Sequence, residues 1–184
     1  MVHMKKAVFL PFCFLAMMLT TEAQPYSKGT FSFSAGGELL IPENSLNRSY
    51  QMGLGFSTKG EYVWAKHASA TLTTGYYFME GKKTDLVSFE NVSAIPVKAG
   101  LRYYLGNFYG AGEAGGLFFL GNGQPASFIY SVGIGDKFLL KKRVFDVTVR
   151  HEGWRIDGAS KGIIAIRIGY EFAVNEAPPL HHGF

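Results

Sequence analysis

The stretch from Gly162 to Ala173, GIIAIRIGYEFA, has two chemically different sides when extended, and this restricts the possible folds severely. Successive strand residues point to opposite faces. Ile164, Ile166, Ile168, Tyr170 and Phe172 therefore share one side, and Ile163, Ala165, Arg167, Gly169, Glu171 and Ala173 share the other. A water-soluble layered fold buries the bulky side and wets the polar one. A membrane barrel gives the bulky side to lipid and encloses the small and charged side.

The same rhythm recurs along the chain. No apolar run past Ala23 approaches the ~18 residues of a helical membrane span. The 23 glycines and 15% aromatic content oppose long helices. Period-two alternation predicts eight strands: Thr30–Ile41, Tyr50–Trp64, Ala68–Met79, Ala94–Leu105, Phe108–Leu120, Ser127–Leu140, Val144–Trp154 and Gly162–Ala173. The connections 42–49, 80–93, 121–126 and 155–161 read as longer and polar, and 65–67, 106–107 and 141–143 as tight. That order fits an antiparallel up-and-down barrel with both chain ends in the periplasm.

Collecting the polar faces yields six acids, Glu38, Glu61, Glu113, Asp146, Glu152 and Glu171, and six bases, Lys59, Lys98, Arg102, Lys137, Arg150 and Arg167. The bulky faces carry one charge, Asp136, which requires a bulge or a strand end at the interface. A soluble ligand-binding barrel lines its cavity with apolar residues and places charge outside. Here the charged faces are also rich in Gly, Ser and Thr, which pack inside a narrow barrel and make a poor solubilising coat. Aromatic residues gather near strand ends, Tyr62, Trp64, Tyr103, Phe138, Tyr170 and Phe172 at one level and Tyr50, Phe78 and Phe128 at the other, as at a membrane boundary. Eight strands enclose only enough space for side chains to fill. Unpaired charges there are costly, so the twelve are expected to form an ion-pair network that plugs the lumen.

Residues 1–23 read as a cleavable export signal, with Lys5 and Lys6, an apolar run from Ala7 to Leu19, and the small-x-small site Thr21-Glu22-Ala23. Cleavage leaves a barrel over 24–174 and a tail over 175–184, and removes the only cysteine, Cys13. Disulfide, thiol and Cys-ligated metal chemistry are thereby excluded from the mature chain. The net charge of +4 is dispersed along the segments, which argues against nucleic acid as a partner.

The segments IPVKAGLRYYLGN (Ile95–Asn107), FYGAGEAG (Phe108–Gly115), FDVTVRHEGW (Phe145–Trp154) and IRIGYEF (Ile166–Phe172) carry a resemblance to a known group. The chain resembles the small eight-stranded outer-membrane β-barrel domains of Gram-negative bacteria, similar in layout to OmpX and the OmpA barrel. The resemblance implies an all-β transmembrane barrel in the cell outer membrane, in contact with outer-membrane lipid and lipopolysaccharide. It also implies that the closing strand serves as an assembly signal for the barrel-insertion machinery through Arg167, Gly169, Phe172 and Val174, here followed by ten further residues. Members of the group differ in activity, so the resemblance says little about function.

Motifs with chemical associations have plainer readings. Gly110 to Gly115 matches Gly-x-Gly-x-x-Gly, but Gly116-Leu117-Phe118-Phe119 is poor helix material, so close strand packing is the better account. His67-Ala68-Ser69 and His151-Glu152-Gly153 invite comparison with the outer-membrane lipid A deacylase. Acyl transfer needs a nucleophile, a base and an orienting acid. His67 falls in a tight turn, Glu152 points away from its neighbour His151, and Gly153 occupies the expected serine position. His181-His182 offers no third metal ligand, and the sequons at Asn47 and Asn91 read as chance. The expectation is a non-enzymatic outer-membrane barrel without cofactor, a structural component or a loop platform for adhesion or envelope integrity, with a possible extracellular ligand at its loops. The alternatives are a lipid-modifying enzyme and a narrow channel.

Overall fold

The computed structural model describes residues 28–83, 88–121, 125–140, 143–156 and 159–175. The leader, the tail beyond Asn175 and His181-His182 lie outside these residues. Eight strands, β1 (Phe31–Pro42), β2 (Gly53–Ala65), β3 (Ala68–Met79), β4 (Val92–Leu105), β5 (Phe108–Phe119), β6 (Ser127–Leu140), β7 (Arg143–Ile156) and β8 (Ala159–Asn175), follow one another around a closed barrel. Every neighbouring pair is antiparallel, and β1 closes on β8 through Gly36 opposite Gly169 and Glu38 opposite Arg167. Closure leaves no sheet edge with unpaired backbone groups, which hydrocarbon could not satisfy. Among the described residues no helix is long and apolar enough to cross a membrane.

The alternation reads directly as inside and outside. Leu54, Phe56, Leu72, Leu101, Val132, Ile134, Ile168 and Phe172 stand exposed on the exterior, with Tyr62, Trp64, Tyr103 and Tyr170 towards the end carrying the tight turns and Phe78 and Phe128 towards the other. An exterior this apolar is incompatible with water and suits lipid. Gly36 lets the first and last strands lie close: a Cβ there would meet the backbone oxygen of Ile168 at 2.5 Å, across the seam between them.

Two connections differ from the sequence reading. Residues 155–161 are not a longer polar loop: β7 runs to Ile156 and β8 starts at Ala159, with Trp154 opposite Lys161 and Ile156 opposite Ala159. The Asp157-Gly158 pair between them matches a two-residue hairpin connection, a signal stronger than the polarity of its flanks. The first connection contains a short helix, α1 (Asn44–Ser49), so β2 begins at Gly53 and Tyr50 packs beside the barrel mouth instead of in an exterior girdle.

Candidate functional site

The lumen has two layers of different chemistry. The lower layer, nearer the tight turns, is ionic. All twelve charged residues of the polar faces are buried there, each at 7% exposure or less. Glu61 accepts from Arg102 Nη1 at 3.0 Å, Lys137 Nζ at 2.9 Å, Ser69 Oγ at 2.6 Å and the Tyr104 hydroxyl. Arg102 reaches Asp146 with Nη2 at 2.8 Å while its guanidinium lies 4.1 Å above the Tyr109 ring, and Tyr109 donates to Asp146. Lys137 also reaches Glu171 at 2.7 Å.

Further up, Glu113 gathers Lys98 at 3.3 Å and Lys59 at 3.5 Å, and Glu152 takes Lys98 at 2.5 Å and Arg150 Nε at 2.7 Å. Arg150 Nη2 pairs with Glu38 and donates to the Tyr77 hydroxyl at 2.9 Å. Arg167 joins the two groups: Nη1 lies 3.4 Å from Asp146, Nε 4.0 Å from Glu38, and the guanidinium donates to Ser57 and Ser34 at 2.9 Å. Each of the twelve thus makes at least one ion pair, as burial of charge demands. Arg167 has room because Gly169, two residues along the same face, carries no Cβ where the guanidinium lies.

The upper layer is apolar, and sequence reasoning missed it. Leu40, Tyr77, Met79, Ala94, Leu117, Ile129, Trp154, Ile163 and Ala165 form a core inside the barrel mouth, and Leu46 of α1 drops into it from above. Trp154 stacks on Tyr77 with centroids 6.2 Å apart and meets Phe119 at 6.3 Å. Ile163 and Ala165 share the inner face with Arg167, so alternation placed them correctly, but it could not say that the inner wall turns apolar at this height. The signal was available: Leu40, Met79, Leu117, Ile129 and Ile163 all occupy inward positions near the strand ends that carry the longer connections.

Over this core the first two long connections are tied together. Gln51 N donates to Glu80 O at 2.9 Å, Lys82 N to Ser49 O at 2.8 Å, and Tyr50 pairs with Gly81. The Lys82 ammonium donates to the Asn47 backbone oxygen and, at 3.2 Å, to its side chain. Asn91 Oδ1 accepts from Gly81 N at 3.0 Å, and Tyr50 lies 6.4 Å from Phe89. The two sequon asparagines therefore hold the rim together.

The remaining candidates take ordinary places. Gly110 to Gly115 lies within β5 with no helix after it. His67 holds a turn through Nδ1 and the Tyr104 oxygen at 3.2 Å, and Ser69 faces the lumen. His151 stands on the exterior and pairs through Nδ1 with Glu43 at 2.9 Å, an acid from the first connection that the sequence did not suggest. Gly153 follows on the same face, with the Tyr130 ring lying against it. Among the described residues no cluster of three or more His, Cys, Asp or Glu could hold a metal ion.

A closed eight-stranded barrel with lipid-facing walls and a filled interior defines the class: the fold is that of the small outer-membrane β-barrels, and the outer membrane is where such a barrel resides. No protein-family profile matches the sequence, and no curated protein is significantly similar to it. Solved structures are similar to it. The outer membrane protein OprG of Pseudomonas aeruginosa aligns at a TM-score of 0.55 and 14% identity, over 85% of this chain and 100% of that one. Ail, the attachment invasion locus protein of Yersinia pestis, aligns in a phospholipid nanodisc at 0.53 and in the crystal at 0.50, with 18% identity over 79% of this chain and 100% of that one.

Proposed function

We propose that this chain is a non-enzymatic outer-membrane barrel whose sealed interior holds up an extracellular contact platform built from its first two long connections. One observation carries the reading: residues 47–51 are bonded to Glu80, Gly81 and Lys82, and α1 is anchored through Leu46 on the apolar core inside the mouth. Loops that only bridge strands have no need of such an arrangement, whereas surfaces that bind do so best when positioned by a rigid scaffold. The ionic layer below acts as a structural plug, so the barrel conducts no solute of useful size. Outer-membrane lipid and lipopolysaccharide surround it, and Arg167, Gly169, Phe172 and Val174 present the closing strand to the insertion machinery. A surface-contact role agrees with the attachment function in the name of Ail, which has also been solved with the heparin analogue sucrose octasulfate.

The test is to replace residues 44–49 and 81–91 by short Gly-Ser links and to measure the binding of expressing cells to immobilised glycans and host matrix. Heat-dependent gel mobility of the purified barrel reports assembly. Loss of binding with an intact mobility shift is the expected result; undiminished binding would refute the platform. One observation favours a second reading, a lipid-modifying enzyme: the His151–Glu43 pair at 2.9 Å lies on the exterior. The nucleophile position beside it is Gly153, and deacylation of lipid A that is abolished in His151→Ala would be needed to sustain it.

A further inference from the structure

On the exterior of β1, β2 and β3, near the tight turns, the wall carries a groove of about 330 Å³. The register sets Phe31, Tyr62 and Ala70 in one row and Phe33, Gly60 and Leu72 in the next. Gly60 leaves the floor low between bulkier neighbours. A Cβ there would lie 3.6 Å from the Phe31 ring and 3.8 Å from the Phe33 ring, so both rings border the space that a larger residue would fill. The lining is apolar, which suits an alkyl chain.

Its level in the membrane is set by the aromatic residues beside it. Tyr62 and Trp64, 47% and 48% exposed, belong to the belt that marks where hydrocarbon gives way to headgroups. The groove lies on the hydrocarbon side of Trp64, and Lys66 lies on the other, two residues further along in the turn after β2. Lys28 reaches the same corner, because Gly29, at φ 91°, donates its N–H to Val63 O at 2.7 Å and brings the chain onto the end of β2. Both lysines are exposed, and among the described residues neither makes a hydrogen bond or an ion pair. No acid offsets them: residues 28–37 and 62–79 contain no Asp or Glu, and Glu38 and Glu61 are buried in the lumen. The one acid among the outward strand residues, Asp136, is buried in unbroken register between Phe108 and Val147, on the opposite side of the barrel.

Two ammonium groups just outside the belt, next to an apolar slot just inside it, match an amphiphile with an anionic head and alkyl chains. Short turns lie on the periplasmic side in barrels of this class, so the leaflet in contact is the inner one. We propose that this face binds an anionic phospholipid of that leaflet, its phosphate on Lys28 and Lys66 and one chain in the groove over Gly60.

Tryptophan emission supplies the readout, since Trp64 stands beside the groove and Trp154 is enclosed in the mouth. The full barrel is folded into phosphatidylcholine vesicles that contain a minor share of a quencher lipid, brominated on one acyl chain, with either a phosphatidylglycerol or a phosphatidylcholine head. Quenching of Trp64 should show the anionic lipid enriched about fivefold over the zwitterionic one, the scale of one lysine at an anionic membrane surface. Lys28→Gln combined with Lys66→Gln should bring the two quenchers to parity, whereas Arg155→Gln, at the far end of the barrel, should keep the preference. Gly60→Leu, which fills the groove and retains both lysines, should lower quenching by the anionic lipid. Heat-dependent gel mobility confirms that each variant is folded. Equal quenching in the wild type, a preference that survives the double lysine variant or Gly60→Leu, or parity in Arg155→Gln, the mark of net charge alone, would each overturn the proposal. Quenching by neither lipid would put a second copy of the chain over Trp64 and overturn it equally.

Discussion

Replacing Arg102 by methionine tests the ionic layer most directly, because this guanidinium is shared between two carboxylates and is 1% exposed. It donates to Glu61 at 3.0 Å and to Asp146 at 2.8 Å. Hydrogen bonds to charged groups contribute about 1.5 to 3 kcal/mol each, so two set an upper range of about 3 to 6 kcal/mol. Glu61 keeps Lys137 at 2.9 Å and Asp146 keeps Arg167 at 3.4 Å, which places the loss near the lower end of that range. The expected destabilisation is therefore about 3 to 4 kcal/mol, in line with removing one partner of a buried pair. Urea unfolding in lipid vesicles, followed by tryptophan emission, measures it, since Trp154 is enclosed in the mouth and Trp64 faces lipid. Adding Asp146→Asn to Arg102→Met restores the balance of charge, so the double mutant should be more stable than the sum of the singles by about 1 to 3 kcal/mol. A loss below about 1 kcal/mol for Arg102→Met, the range of solvent-exposed pairs, would refute the sealed ionic layer. Strict additivity would refute the pairing.

Three further perturbations probe other parts of the wall. Ile166→Arg puts a charge on the lipid face of β8 and should cost about 2 to 4 kcal/mol near the midplane, seen as a reduced yield of the heat-modifiable folded form. Arg167→Ala should destabilise the barrel by more than the exposed loop change Lys83→Ala, which is expected to stay within about 0.5 kcal/mol; equal unfolding midpoints would contradict this. Gly169→Val fills the space occupied by the Arg167 guanidinium and should cost about 1 to 3 kcal/mol, whereas Gly37→Val, where a Cβ meets nothing within 4 Å, should leave the midpoint nearly unchanged.

How far the sequence revealed the molecule follows from what each signal measures. Alternation reports which face a side chain takes, so it assigned Glu38, Arg102, Asp146 and Arg167 to one compartment across more than a hundred residues of chain. It carries no information on height, and for that reason the change from ions to Leu40, Met79 and Trp154 within the same inner face went unread. Asp136 broke the pattern in the sequence and still breaks it in the fold: a strand end on the β5 side accommodates it, with no bulge. The reach of β7 and β8 past Trp154 is hidden in the sequence by polar side chains, although backbone pairing of Arg155 with Ser160 is indifferent to side-chain polarity on the outer rim. His151 acquired its acid from Glu43, more than a hundred positions earlier, a contact that only barrel closure creates.

The greasy stopper beneath α1 has a consequence for anyone wishing to re-engineer the outer surface. Because Leu46 and Trp154 close the mouth above the charges, foreign peptide grafted at the β5–β6 connection need not disturb the electrostatics below. Grafts into α1 itself would uncork the vessel and let water reach Glu152 and Lys98. Tolerance to insertion should therefore differ sharply among connections at the same end of the barrel.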